Sequence, residues 1–265
     1  MALDLSDSFR LEFEAADVSP VPEDIVRTRP YRIGWLIKSA DVNSASIRYR
    51  CFHFARVLAP RFHSAYFTSA HDLQRELPKL DAIIVVKRLD KTLPGLVAKA
   101  QLSDVPVFLD LCDDMLGPGY SKNEFGVNLL RFLGMAPLLA GVTVPSAEMA
   151  DRIEGYVTGN GLTPIPVHVI PDIAETWDIY RATHETVTGR TLPATLPPVR
   201  TPEPPGRKKV VWFGNYGASH SNFGIFSLKS SLKPLRAVDP EVPLELVVNS
   251  NSEPVYRALV QDCGF

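Results

Sequence analysis

The chain has 265 residues, with 28 Lys plus Arg against 30 Asp plus Glu, a formal net charge of −2. That balance gives no electrostatic case for nucleic acid or an anionic membrane. Hydrophobic residues make up 45% and charged residues 22%, the profile of a soluble globular protein long enough for one large domain or two small ones.

Residues 1–30 show no clear period and end in Arg29-Pro30, which reads as an N-terminal arm. The acidic, interrupted start lacks the basic head and apolar core of a signal peptide. No apolar run reaches the roughly 18 residues of a membrane span. Cys51, Cys112 and Cys263 are odd in number and far apart, which fits buried small hydrophobes better than a disulfide framework or a metal set. A cytoplasmic protein is expected.

From residue 31 the pattern is regular. Arg32–Ile37 is a short apolar run and reads as a buried strand. Ala45–Leu58 places Ile47, Cys51, Phe54, Ala55 and Leu58 at helical spacing, and Pro60 ends it. Strands follow at Ala65–Thr68, Ala82–Val86, Val105–Leu111, Gly141–Val144 and Val167–Ile170. Helices are expected at His71–Leu77, Leu93–Leu102, Glu124–Leu133 and Ser146–Tyr156, the last with Ser146 as N-cap. Short apolar strands alternating with helices indicate βαβ units and a parallel sheet buried on both faces. Residues 185–206 hold six prolines and read as a stiff linker, with a surface loop as the other reading. The pattern then restarts: strand at Lys209–Phe213, helix at Asn222–Val238, strand at Leu244–Val248, helix at Pro254–Cys263.

Ligands of open parallel sheets bind at the carboxyl ends of strands. Four places qualify. The loop after Ile37 carries Lys38, Ser39, Asp41, Asn43 and Ser44, with Arg48 and Arg50 on the helix that follows. Those arginines, two apart, do not share a helix face, so one is expected to aim at the cleft and the other at water; an ordinary polar loop with surface arginines is the bland reading. Asp110, Asp113 and Asp114 crowd one strand end, where like charges repel unless they meet a cation, donors or water. Strict Asp-x-Asp is missing and no His stands at ligand spacing, so hydroxyl or structural hydrogen bonding is favoured over a metal, with a solvated loop in helix-capping roles as the other reading. Val144-Pro145-Ser146 and Ile170-Pro171-Asp172 suit strand termination and capping. Gly214–Phe223 offers Gly214, Asn215, Gly217 and His220 before a helix, without G-x-G-x-x-G spacing. Glu245 and Glu253 mimic an E-x7-E pair, read as chance.

In order, these segments resemble GT-B glycosyltransferases of the family 4 type. The resemblance rests on Arg32–Leu36 with the small-residue loop to Arg48-Tyr49-Arg50, Val107–Asp114, Val142–Ser146, Val169–Asp172 and Val210–Asn215, and covers residues 31–265. It implies an α/β fold, with a Rossmann-like parallel-sheet domain (31–184), the Pro-rich linker (185–206) and a partial second Rossmann-like domain (207–265). It implies transfer of a sugar from a nucleotide-sugar donor, as co-substrate, to a glycan or lipid-linked acceptor in polysaccharide or glycoconjugate synthesis. Retention, no bound metal and no further cofactor are also implied. Ser44, Ala45 and Arg48 match the acceptor side, to which Asp110, Asp113 and Asp114 are added. Gly214 and Asn215 match the donor side, joined by Gly217 and His220. No catalytic residue is assigned. Asn215 stands where the family commonly has Arg, and Asp172 where it has Asn. The chain reads as an acceptor domain with the first part of a donor domain. A catalytically incomplete binding or partner protein on the same scaffold is the alternative. A peripheral membrane or homo-oligomer contact is left open.

Overall fold

The structure, a computed structural model, describes residues 29–59, 61–117, 125–172, 174–195, 208–213 and 244–249, the last two stretches and Phe125 as backbone only. The chain divides into two compact units between Pro197 and Pro198.

The first unit holds six parallel strands: β1 (Tyr31–Leu36), β2 (Phe62–Phe67), β3 (Ala82–Val86), β4 (Val107–Asp110), β5 (Gly141–Val144) and β6 (Val167–Val169). Their order is β2-β1-β3-β4-β5-β6. This is a Rossmann-like α/β sheet, and its order switches between β1 and β3. Strand β2 begins three residues earlier than its apolar core suggests. Phe62, His63 and Ser64 continue the ladder opposite Tyr31, Arg32 and Ile33.

Side-chain alternation sorts β1 between two cores. Ile33, Trp35 and Ile37 pack on one face with Ile47, Cys51, Phe52 and Tyr66. Leu36 packs on the other with Leu73, Leu96, Phe132 and Ile153. Each such side chain contributes about 1.5–3 kcal/mol by leaving water. Gly34 belongs to the second face and must lack a side chain, because an added Cβ would lie 2.6 Å from Leu80 Cδ1. Helices α3 (Ala70–Glu76), α4 (Leu93–Leu102), α5 (Phe125–Met135) and α6 (Ala147–Gly159) contribute to that core. Ser146 caps α6 as its sequence position suggests, accepting from the Met149 amide at 3.3 Å.

The opposite face is covered by one run of helix in three parts: α1 (Ala45–Ile47), a π-helical segment (Arg48–Phe52) and α2 (His53–Leu58). The 3.6-residue period predicts the helix but not the wider turn at its centre. The π segment turns both arginines inward, so neither is solvated as expected: Arg48 is 8% exposed and Arg50 2%.

A further helix, α7 (Trp177–Thr188), has no counterpart in the sequence reading. Its last turn occupies 185–188, where linker was expected. Thr176 caps its start by accepting from the Ile179 amide, and Gly189, at φ 66°, ends it in the left-handed conformation that favours glycine. Only Thr183 and Val187 are buried along it, so its apolar stripe is too thin to register as a periodic helix.

In the second unit, β7 (Lys208–Phe213) and β8 (Leu244–Asn249) pair in parallel, each within about a residue of its expected bounds. The two helices expected in that unit lie outside the described residues.

Candidate functional site

Where the order switches, chain leaves β1 toward one side of the sheet and β3 toward the other, and a crevice opens at their carboxyl ends. Here it is a cleft of about 600 Å³. One wall is the loop after β1 with Lys38 and Ser39, running into Ser44 and Ser46. The Ser44 hydroxyl does not cap the helix; it lies 3.2 Å from the Ser46 hydroxyl. Ala45 is exposed beside it.

The opposite wall comes from the residues after β3, Lys87, Arg88 and Asp90, and from Arg131 on α5. Lys87 has φ 49°, the left-handed region that a residue with a Cβ seldom occupies. Its amide donates to the Asp110 carbonyl at 2.9 Å, which holds that bend. Arg88 staples three strand ends. Its Nη1 donates to the Ile37 and Thr68 carbonyls at 3.1 and 2.7 Å, while Nε donates to Asp90 Oδ2 at 2.8 Å. Burial works against ionisation of Asp90, but hydrogen bonds from Thr92 and Arg88 outweigh it and hold the carboxyl below its ordinary value.

Arg48 and Asp110 do not line this cleft; they sit in two buried ion-pair networks. In the first, Arg48 forms a two-pronged pair with Glu175, Nε to Oε1 at 2.7 Å and Nη2 to Oε2 at 2.9 Å, while Nη1 donates to the Val42 carbonyl at 2.8 Å. Its guanidinium also stacks over the Tyr180 ring at 5.0 Å. His53 donates from Nε2 to Glu175 Oε1 at 2.8 Å and takes a hydrogen bond on Nδ1 from the Thr183 hydroxyl at 3.3 Å. Those two partners suit a neutral ring, and burial accordingly lowers the His53 pKa from its ordinary 6.5. Burial raises Glu175 toward neutrality, but Arg48 and His53 outweigh it and leave the carboxyl below its usual value. Together these contacts tie α7 to the helix after β1.

In the second network, Arg50 Nη2 donates to Asp110 Oδ1 at 2.6 Å and Nε to the same carboxylate at 3.0 Å. Thr143 Oγ1 donates to Asp110 Oδ1 at 2.6 Å. Arg50 also reaches the Ile170 carbonyl and Asp172, the latter at 3.3 Å. Burial pushes the Asp110 carboxyl up from its ordinary value, against the pull of Arg50 and Thr143.

The three carboxylates of the β4 end therefore avoid mutual repulsion by taking separate partners. Asp113 pairs with Lys87, and Asp114 with Arg152 at 2.9 Å and the Tyr156 hydroxyl at 3.2 Å. Among the described residues no group of His, Cys, Asp and Glu is arranged to hold a metal.

Of the residues singled out from sequence, Ser44 lines the cleft with Lys38 and Ser39 from the same loop, while Ala45 is exposed next to Ser44 and does not line it. Gly214, Asn215, Gly217 and His220 lie outside the described residues. Sequence reasoning passed over Lys87, Arg88, Asp90 and Arg131, as well as His53 and Glu175. The first three were within reach, since they follow an apolar strand at its carboxyl end. Glu175 and His53 meet only through the tertiary fold.

No model of a known protein family matches the chain, and no curated protein matches it. Among solved structures, it is similar to a chain of one described as "Crystal structure of GtfA/B complex", with 12% sequence identity and a TM-score of 0.40. The match covers 74% of this chain and 36% of that one, so the chain spans little more than a third of its neighbour's length.

Proposed function

We propose that this chain is a GT-B type glycosyltransferase-like protein that transfers a sugar from a nucleotide-sugar donor to an acceptor held in the cleft of the first unit. One observation carries the reading: the cleft lies at the switch between β1 and β3, walled by the small-residue loop that supplies the first segment of the family resemblance. Ser39, Ser44 and Ser46 offer hydroxyls suited to an acceptor. Arg48 and Arg50 act at one remove, by fixing the helix that carries Ser44 and Ser46. By the same resemblance the residues from 208 onward would supply the donor side, with Gly214, Asn215, Gly217 and His220 as its candidates.

A second reading, a non-catalytic binding protein on this scaffold, is favoured by a different observation. Asp90 is the one carboxylate among the described cleft-lining residues, and it is spent on Arg88 and Thr92. Isothermal titration with UDP- and GDP-sugars separates the two. Saturable binding of one nucleotide sugar supports the transferase; indifference to every one of them, here and in any longer form of the chain, favours the binding protein.

A further inference from the structure

We propose that the cleft at the β1/β3 switch is an anion site that takes a phosphate group of the acceptor, with Lys38, Lys87 and Arg131 as its cationic ligands. The inference rests on reading the cleft as the acceptor side.

Charge is the first observation. Among the described lining residues, four are cations and one is an acid, Asp90. Arg88 is matched by Asp90 and by two strand-end carbonyls. Arg131 donates from Nη1 to the Leu89 carbonyl, a neutral partner, and among the described residues it pairs with no carboxylate. Lys38 is exposed at the cleft mouth. Lys87 is paired with Asp113, at 29% and 48% exposure, so its charge is partly matched and adds to the field of the cleft from within that pair. A surplus of charge-assisted donors converging on one concavity suits a group with several acceptor oxygens.

Backbone geometry is the second. Lys87 keeps its left-handed φ of 49° although lysine gains nothing intrinsic from it. Such outliers persist where the surroundings over-determine them, often at ligand clamps. Lys87 and Arg88, at that bend directly after β3, both line the cleft. The Ser44 and Ser46 hydroxyls add uncharged donors on the opposite wall.

The phosphate could be borne by a soluble ester or by a lipid headgroup. Helix α5, which supplies Arg131, also exposes Val127 and Leu130. The experiment keeps the two sources apart.

Isothermal titration of the full 265-residue chain with inorganic phosphate and with glycerol 3-phosphate is expected to show saturable binding. Lys38→Ala and Arg131→Gln each weaken it about tenfold, the worth of one charge-assisted hydrogen bond. Lys99→Ala, in the last turn of α4 and away from the strand ends, leaves it unchanged. Lys38 is exposed, so its variant folds; the unfolding temperature without phosphate checks Arg131→Gln. No saturable binding, or an affinity in both variants unchanged from that of the parent chain, overturns the site. Cosedimentation with phosphatidylcholine vesicles, with and without phosphatidic acid, assigns the source. Sedimentation that needs phosphatidic acid and Lys38 supports the site with a lipid acceptor; phosphate binding without sedimentation supports it with a soluble one. Sugar transfer to a neutral acceptor without phosphate binding would overturn the anion site alone. Phosphate binding with no response to nucleotide sugars would instead leave the site and remove the transferase reading.

Discussion

Arg48 and Glu175 stand 127 residues apart and form a two-pronged ion pair at 2.7 and 2.9 Å, both side chains about nine-tenths buried. The pair joins the helix after β1 to the chain entering α7, so it closes the first unit. Removing one partner of such a pair strands the other away from water. Glu175→Ala is expected to cost about 3 kcal/mol in urea unfolding, and Arg48→Ala a similar amount. The double variant should cost less than the sum, since each single change already breaks the contact. Additive losses would show that the pair contributes little.

Acid should weaken the same network. His53 is held below 6.5 by burial, so the unfolded chain takes up a proton there more readily than the folded one, and stability falls as pH drops below 6.5. Glu175 is held below 4.5, so its contribution, fully present above that value, is lost as pH falls through the depressed one. Both losses have the same sign. In denaturant titrations from pH 7.5 to 3, His53→Gln should flatten the first decline and leave the one below pH 4.5 in place.

These relationships mark the boundary of what sequence shows. Strands β1 to β6 are legible from their apolar centres, although the polar start of β2 is not, and Ser146 is legible because capping is local chemistry. Helix α7 is not legible, since it buries only Thr183 and Val187 and stays polar elsewhere. The π segment hides inside a normal apolar period, so Arg48 and Arg50 look like opposite faces of an ordinary helix. Their partners Glu175 and Asp110 lie far along the chain, and no spacing rule connects them. The cleft was half visible: its β1 wall follows from the rule for strand ends, while the Lys87 bend is a backbone property.

That bend gives a third prediction. Lys87→Gly removes the Cβ that opposes a φ of 49° and should be neutral or stabilise by up to about 1 kcal/mol. Lys87→Val, β-branched at the same position, should destabilise by about 2 kcal/mol. Thermal unfolding of the two variants checks the order.

The thiols supply a fourth. Burial, reinforced by Asp113, pushes the Cys112 thiol from its ordinary 9.0 up to about 12. Only the thiolate reacts with iodoacetamide, so the raised thiol, scarcely ionised at pH 8, is labelled far more slowly than an ordinary cysteine. Cys51, fully buried, is pushed up as well. Peptide mass spectrometry of the native chain labelled at pH 8 should find both far slower than after denaturation.

The transferase reading itself is tested most directly by turnover. The chain, and any longer form of it, is incubated with UDP- and GDP-sugars and with neutral and phosphorylated sugar acceptors, and products are weighed by mass spectrometry. The account predicts one sugar residue added to an acceptor, with transfer reduced when Ser44 is replaced by a bulky residue such as tryptophan that fills the cleft. No added mass on any acceptor with any donor, from either form, would contradict it.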